Sequence, residues 1–393
     1  MRDLSLYIHI PFCRRKCLYC DFLSAPASDG EMENYVNLLC REIEEQSIFY
    51  RRHRVISLFL GGGTPSLLPA ERIGRILERI RNCFSVTEDA EITIECNPGT
   101  VTAEKLKNYI TYGINRLSIG LQSTDDEELA RIGRIHDYAA FLATYRLARE
   151  TGFQNINIDL MAGLPGQSVD SYRKTLERVT ALEPEHISAY SLILEEGTPI
   201  YVNRLRYTFP TEEEDREMYR LTEKLLTAAG LHRYEISNYA REGRECRHNK
   251  VYWLRGDYVG FGLGASSMAA DIRWKNPDKR EDYAACVECM SEGSESPQGL
   301  FLAEMLRETG RLEVQELTRT EQMEEFMFLG LRLTAGIDPA DFQRMFGTPV
   351  EAVYGEPIAR LTALGLLERA GKGLRLTPWG IDVSNRVFAE FLL

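Results

Sequence analysis

The chain is 393 residues long, 44% hydrophobic and 27% charged, enough for one large domain with its own core and a smaller one. Its formal net charge of −12 excludes a surface built to neutralise nucleic-acid phosphates, and no apolar run reaches the length of a membrane span. Nine cysteines, three of them clustered, fit reduced thiols better than a disulfide framework, and without a secretory leader pattern the expected location is the cytoplasm.

The first apolar run, residues 4–10, reads as a strand leading into Cys13, Cys17 and Cys20, a C-x3-C-x2-C array. Residues 31–47 place apolar side chains near a 3.6 spacing and predict a crossover helix. The run 55–60 has strand length and ends in Gly61-Gly62-Gly63-Thr64-Pro65. The pattern then repeats: helix 69–83 and strand 90–96, helix 102–112 and strand 116–121, helix 138–151 and strand 155–161, helix 169–181 and strand 187–192. Six strands alternating with helices predict an α/β fold of parallel strands, either an open doubly wound sheet or a partial barrel. Position separates the two. The unusual residues follow the ends of successive strands: the cysteine loop, the glycine turn, Glu95 with Asn97-Pro98, Gln122 and Asp159. A ring of functional groups at one mouth is what a barrel offers, whereas an open sheet gathers them at one switch point.

Beyond residue 195 the alternation stops. Residues 211–229 predict a helix with Thr211 as N-cap, Glu214 completing a capping box and Gly230 as its stop. Residues 234–238 read as a further strand. The polar stretch 291–299 is the expected linker, dividing residues 1–295 from a module at 296–393. That module carries helical patterns at 320–333, 339–346 and 357–364 and a hairpin at 366–370 and 374–377. It reads as a mainly helical, winged-helix-like domain without the basic stripe of a DNA reader.

Three thiolates on one loop suit a metal centre. They are one too few for a closed zinc site, unless His9 completes it, and they match iron–sulfur ligation with one iron left open. The glycine turn lets a ligand approach the main chain closely. Glu95, Gln122, Arg134 and Asp159 are hydrogen-bonding groups suited to an amino-acid zwitterion, a ribose diol and an adenine edge. Cys40, Cys83 and Cys96 read as buried apolar positions, and Cys286 and Cys289 as small residues at helix spacing.

The cysteine loop, with Tyr19 before its last cysteine and GGGTP after the next strand, resembles the signature of radical S-adenosylmethionine (SAM) proteins. With YIHIPFC, GGGTPSLL, ECNP, RLSIGLQS, NIDLMAGLPGQ, AYSLILEEGTP, YEISNYA, HNKVYW and GLGASS, the resemblance narrows to the group containing oxygen-independent coproporphyrinogen III oxidase and the HemW haem chaperones. It implies a partial (β/α)6 radical-SAM barrel in which Cys13, Cys17 and Cys20 hold three irons of a 4Fe-4S cluster and the fourth iron chelates SAM. It also implies that Tyr7, Gly62, Gly63, Thr64 and Glu95 bind that SAM, with Tyr19 in the same cofactor-binding set. In the oxidase a second SAM is held by residues corresponding to Gln122, Arg134 and Asp159. Reduction of the cluster would then cleave SAM to methionine and a 5'-deoxyadenosyl radical.

Two departures from the oxidase favour HemW. Phe22 stands where the oxidase has a fourth cysteine, and the segment before the first strand is short. Residues 248–253, HNKVYW, match the HNxxYW motif linked to haem in HemW proteins. The match implies haem contact by His248, Asn249, Tyr252 and Trp253, with the His248 imidazole as iron ligand and Cys246 as a second candidate. The implied function is a chaperone that passes haem to an acceptor such as a respiratory haem protein. The alternative is radical oxidative decarboxylation of coproporphyrinogen III. Arg14, Arg15 and Lys16 inside the cluster loop suit an acidic electron donor of the flavodoxin type, or else balance the charge of the thiolates.

Overall fold

The computed structural model describes residues 1–292 and 302–393. Six parallel strands lie side by side in sequence order: β1 (Arg2–Ile10), β2 (His53–Gly62), β3 (Ser85–Cys96), β4 (Arg116–Gln122), β5 (Ile156–Ala162) and β6 (His186–Ser191). That order decides the architecture. When every crossover steps one strand the same way, the crossover helices share one face and the sheet curls into a partial (β/α)6 barrel, whereas a doubly wound sheet reverses direction midway.

The two faces of the strands differ because successive side chains point oppositely. Leu6, Ile8 and Ile10, Leu58 and Leu60, Ile92 and Ile94, and Ile156 and Ile158 are buried in the core shared with the helices Asp29–Ser47 and Ala70–Cys83. The opposite face carries Ser5 and Tyr7, Ser57 and Phe59, Glu91, Thr93 and Glu95, Arg116 and Ser118, and Asn157 and Asp159. Parallel strands packed on both faces normally read as continuous apolar runs. Polar rows on the inner face therefore mark a lumen that does more than pack.

Most helices follow their sequence signals. Ser28 and Thr211 form capping boxes, and the helix Tyr138–Thr151 keeps its predicted bounds, closed by a left-handed Gly152. A short helix, Asp126–Arg131, was not expected. Residues 234–237 are not a strand: they form the turn between β7 (His232–Arg233) and β8 (Asn238–Ala240), which pair antiparallel, and β8 extends the sheet beyond β6. On the other side, β9 (Tyr258–Phe261) runs parallel to β1, and β10 (Ser266–Ala269), β11 (Ile272–Lys275) and β12 (Leu312–Glu316) continue antiparallel to a twelve-stranded sheet.

Of the linker expected at 291–299, the first two residues end the helix Arg280–Glu292 and the rest lie outside the described residues. The segment just beyond it stays with the large sheet, through β12 and a buried Arg311–Glu42 ion pair at 3.1 Å. A second core follows, built from Met327, Phe342, Tyr354, Leu367, Leu376 and Phe391. Its helices are Arg319–Gly330, Pro339–Phe346 and Val350–Ala363, with the hairpin β13 (Leu367–Ala370) and β14 (Gly373–Leu376). The third helix starts a full two turns earlier than predicted and bends at Tyr354, ahead of Pro357. Two short helices, Pro378–Asp382 and Ser384–Ala389, were not expected.

Candidate functional site

The mouth lies at the C-terminal ends of β1 to β6, and the cysteine loop is pinned across it. Cys13 N–H donates to Ala25 O at 3.1 Å, Leu18 N–H to Ile132 O at 3.0 Å, and Ile200 N–H to Leu18 O at 3.0 Å. The glycine turn presses against this loop. Gly62 has φ +111°, and a Cβ there would stand 2.6 Å from the His9 ring; one on Gly63 would stand 2.7 Å from Phe12 O. Only glycine lets the strand end approach so closely.

A chain of polar contacts then links the loop to the strand ends. Thr64 Oγ1 lies 3.4 Å from Cys13 Sγ and accepts from Asn97 Nδ2 at 2.8 Å. Asn97 Oδ1 accepts from Arg134 Nη2 at 2.9 Å, and Arg134 Nη1 lies 3.8 Å from Cys17 Sγ. Arg134 Nε is buried without a partner, an open donor in a site lined with thiols. Burial pushes the Cys20 thiol up to about 11. Tyr19 sits beside Arg134, Cys17 and Cys20, its hydroxyl raised by burial.

This geometry tests the two metal readings. Both His9 nitrogens are engaged, Nδ1 with Tyr7 Oη at 3.1 Å and Nε2 with Leu23 O at 2.9 Å, so His9 does not complete a zinc site. Among the described residues no three His, Cys, Asp or Glu side chains are placed to hold a single metal ion. A cubane takes one thiolate per iron and so suits three cysteines spread around a loop. The residues present fit that group.

The rest of the mouth set converges here too. Glu95 Oε2 accepts from Gly62 N–H at 3.1 Å, and burial together with the Asp159 carboxylate pushes the Glu95 carboxyl up to about 8, so it holds a proton near neutral pH. Asp159 accepts from Asn157 Nδ2 at 2.8 Å and Ser118 Oγ at 3.1 Å, and burial raises its carboxyl. Gln122 adopts a left-handed φ of 74° where the β4–β5 register shifts, an uncommon conformation for a residue other than glycine. Gly120 leaves room beside it: a Cβ would stand 3.1–3.2 Å from Arg134, Asn97 and Gln122 at once.

The haem motif is placed elsewhere. Its residues form the helix Arg247–Trp253, which seals the lumen floor near Glu91, four residues and about 13 Å from Glu95 along β3. Glu91 caps the helix: Oε2 accepts from Arg247 N–H at 3.0 Å, and Oε1 from His248 N–H at 3.1 Å and Cys246 Sγ at 3.4 Å. His248 is 1% exposed, with Nδ1 on Ser57 Oγ at 3.0 Å and Nε2 on Tyr252 Oη at 2.9 Å. Burial lowers its imidazole to about 3, leaving a neutral ring with both nitrogens spent. In this structure the side chain of His248, the expected iron ligand, fastens the helix to the barrel through these two contacts. Cys246 is likewise buried, its thiol pushed up to about 12 by burial. Tyr252 stacks edge-on to Tyr258 at 4.7 Å, Asn249 is half-buried, and Trp253 reaches the other side of the helix, under the Arg332 guanidinium at 4.5 Å.

Sequence reasoning missed Asn97 as the bridge between Thr64 and Arg134, and Glu91 and Ser57 as partners of the motif helix. Asn97, at a strand end before proline, carried a signal; Glu91 and Ser57 sit mid-strand and carried only an unexpected polarity. Cys40 and Cys83, expected to be buried, are only half-buried, whereas Cys96 and Cys286 are buried and Cys289 is exposed.

The radical SAM superfamily matches residues 7–179, and the HemN C-terminal domain matches residues 317–383. The haem chaperone HemW of Bacillus subtilis is 34% identical over 393 residues, spanning 99% of both chains. HemW of Escherichia coli is 41% identical over 264 residues, 67% of this chain and 69% of that one. In structure, the coproporphyrinogen III oxidase HemN of Escherichia coli superposes with a TM-score of 0.82 at 25% identity, covering 100% of this chain and 90% of that one. The chain belongs to the HemW family of radical SAM proteins.

Proposed function

We propose that this protein is a haem chaperone that holds a 4Fe-4S cluster on Cys13, Cys17 and Cys20, binds SAM at the mouth and delivers haem to an acceptor haem protein. The observation that carries this reading is the end-to-end match to a relative named a haem chaperone. When bound, the cluster supplies a low-potential electron and SAM a cleavable sulfonium.

The chain's own residues do the rest. The Gly62–Thr64 turn and Glu95 line the side of the mouth nearest the cysteine loop. A protonated Glu95 donates one hydrogen bond while Gly62 N–H holds its other oxygen. Gln122, Arg134 and Asp159 offer a second set of contacts on the neighbouring strands. Residues 1–295 are read as the cofactor-bearing part and 296–393 as the C-terminal module. The exposed Arg14, Arg15 and Lys16 suit docking by an acidic, flavodoxin-type donor, a respiratory haem protein suits the role of acceptor, and nine free cysteines suit the cytoplasm.

Haem transfer from the anaerobically reconstituted protein to an apo-haem protein tests this function. The second reading, radical decarboxylation of coproporphyrinogen III, is favoured by the overall likeness to HemN. It is opposed by the exposed Phe22, 62% accessible, at the position of the oxidase's fourth cysteine. Protoporphyrinogen formation under the same conditions would replace the first reading with the second.

A further inference from the structure

Between the mouth and the floor, the lumen holds one charged group that neither end uses. Arg116 opens β4 on the inner face, beside Thr93 of β3 in the parallel register and two residues, about 7 Å, short of Ser118 on the way to the mouth. Its side chain is 1% exposed, yet Nε is buried without a partner, and the guanidinium makes no hydrogen bond or ion pair among the described residues. Thr93 Oγ1, also fully buried, has no partner either. A permanently charged side chain taken out of water and left unpaired is costly to the fold.

The neighbouring side chains cannot make good the loss, because each is spent. Asn157 Nδ2 donates to Asp159 and to Ser118 Oγ, both at 2.8 Å. Its Oδ1 accepts from His186 Nδ1 at 2.6 Å, which leaves His186 Nε2 to accept from the Tyr234 hydroxyl at 2.9 Å. Ser118 Oγ donates on to Asp159, and Glu91 is taken up by the helix below. Glu91 and Asp159 therefore act on the guanidinium through their charge and not through a hydrogen bond.

What stays open is a planar fork of N–H donors with a hydroxyl beside it. That donor set matches a carboxylate, whose two oxygens take parallel N–H bonds and whose remaining lone pairs can take the hydroxyl. Two carboxylates already act on the guanidinium, so a monoanion suits the local charge better than a phosphate or sulfate dianion, and burial restricts the ligand to a compact one. We propose that Arg116 and Thr93 form a binding site for a compact carboxylate in the lumen, between the cysteine loop and the helix Arg247–Trp253. The site goes beyond the haem-carrying function proposed above and does not depend on it.

The test is anaerobic denaturant unfolding of the full-length, cluster-loaded protein in sodium formate, sodium chloride and sodium gluconate at matched ionic strength. Formate, the smallest carboxylate, is expected to raise the midpoint of the parent saturably above its value in gluconate, which is too bulky for the lumen. Thr93→Val keeps the side-chain shape without the hydroxyl and should need at least about tenfold more formate for half the rise. Arg116→Met should show no rise. Iron content and SAM binding of each variant establish that it is folded, and Thr93→Val carries the test if Arg116→Met is not. Chloride acting at the same concentrations as formate would make this a site for any small anion and overturn the carboxylate assignment. A midpoint blind to formate, or an equal response in Thr93→Val, would overturn the site.

Discussion

The two ends of the barrel lumen are built from the same residue types and are used oppositely. At the mouth, Glu95, Asp159 and Arg134 keep unspent capacity: a proton held near neutral pH, a raised carboxyl and a buried Nε without a partner. At the floor, Glu91, His248, Ser57 and Ser5 saturate one another, ending with Ser5 Oγ on Ser57 Oγ at 2.7 Å. A ligand can only be held by groups whose hydrogen-bonding capacity the fold has not consumed. The mouth thus keeps hydrogen-bonding capacity that the floor does not, although both contain residues that a motif would flag.

Changes at each end should separate accordingly. The largest effect is expected for Cys17→Ala: loss of the cluster and of SAM binding, read by iron and sulfide analysis and equilibrium dialysis, with the fold retained by circular dichroism. At the floor, Glu91→Ala strips the acceptor from two N–H groups and the Cys246 thiol and should cost about 2–4 kcal/mol in denaturant unfolding. If Glu91→Ala instead spared stability and abolished SAM binding, the division of the lumen would be wrong.

His248 sharpens the contrast through pH. Its proton binds near 6.5 in the unfolded chain and only near 3 in the folded one. The stability it contributes is thus complete above pH 6.5 and is lost as pH falls toward 3, by up to about 1.4 kcal/mol per unit. His248→Gln should flatten that limb of the stability profile. Glu95 has the opposite sign: its carboxyl titrates near 4.5 unfolded and about 8 folded, so stability declines as pH rises between them. Glu95→Gln should remove that decline while keeping SAM affinity near neutral pH, whereas Glu95→Leu, which loses donor and acceptor, should lower it about tenfold, measured by calorimetry. The smallest effect belongs to Phe22→Cys, an exposed change expected within about 0.5 kcal/mol of the parent and without gain of decarboxylase activity.

Much of the fold was legible because each strand–helix unit announces itself locally. The helix Tyr138–Thr151 and the capping boxes at Ser28 and Thr211 depend on neighbours within a few residues. The mouth was legible too, since chain order delivers Cys13, Gly62, Glu95 and Gln122 to the same ends of adjacent parallel strands. The turn at 234–237, the bend at Tyr354 and the late start of the second core were not. Each depends on what packs against it from far along the chain.

The amino-acid sequence by itself determined the six repeating units, the three-cysteine loop and the family to which they belong, because those features are written in spacing and residue type. Tertiary structure alone decided the partners of the histidine in the HNKVYW stretch. Its two nitrogens are engaged by Ser57, 191 residues away, and by Tyr252 on its own helix, and no local pattern reveals the long-range partner.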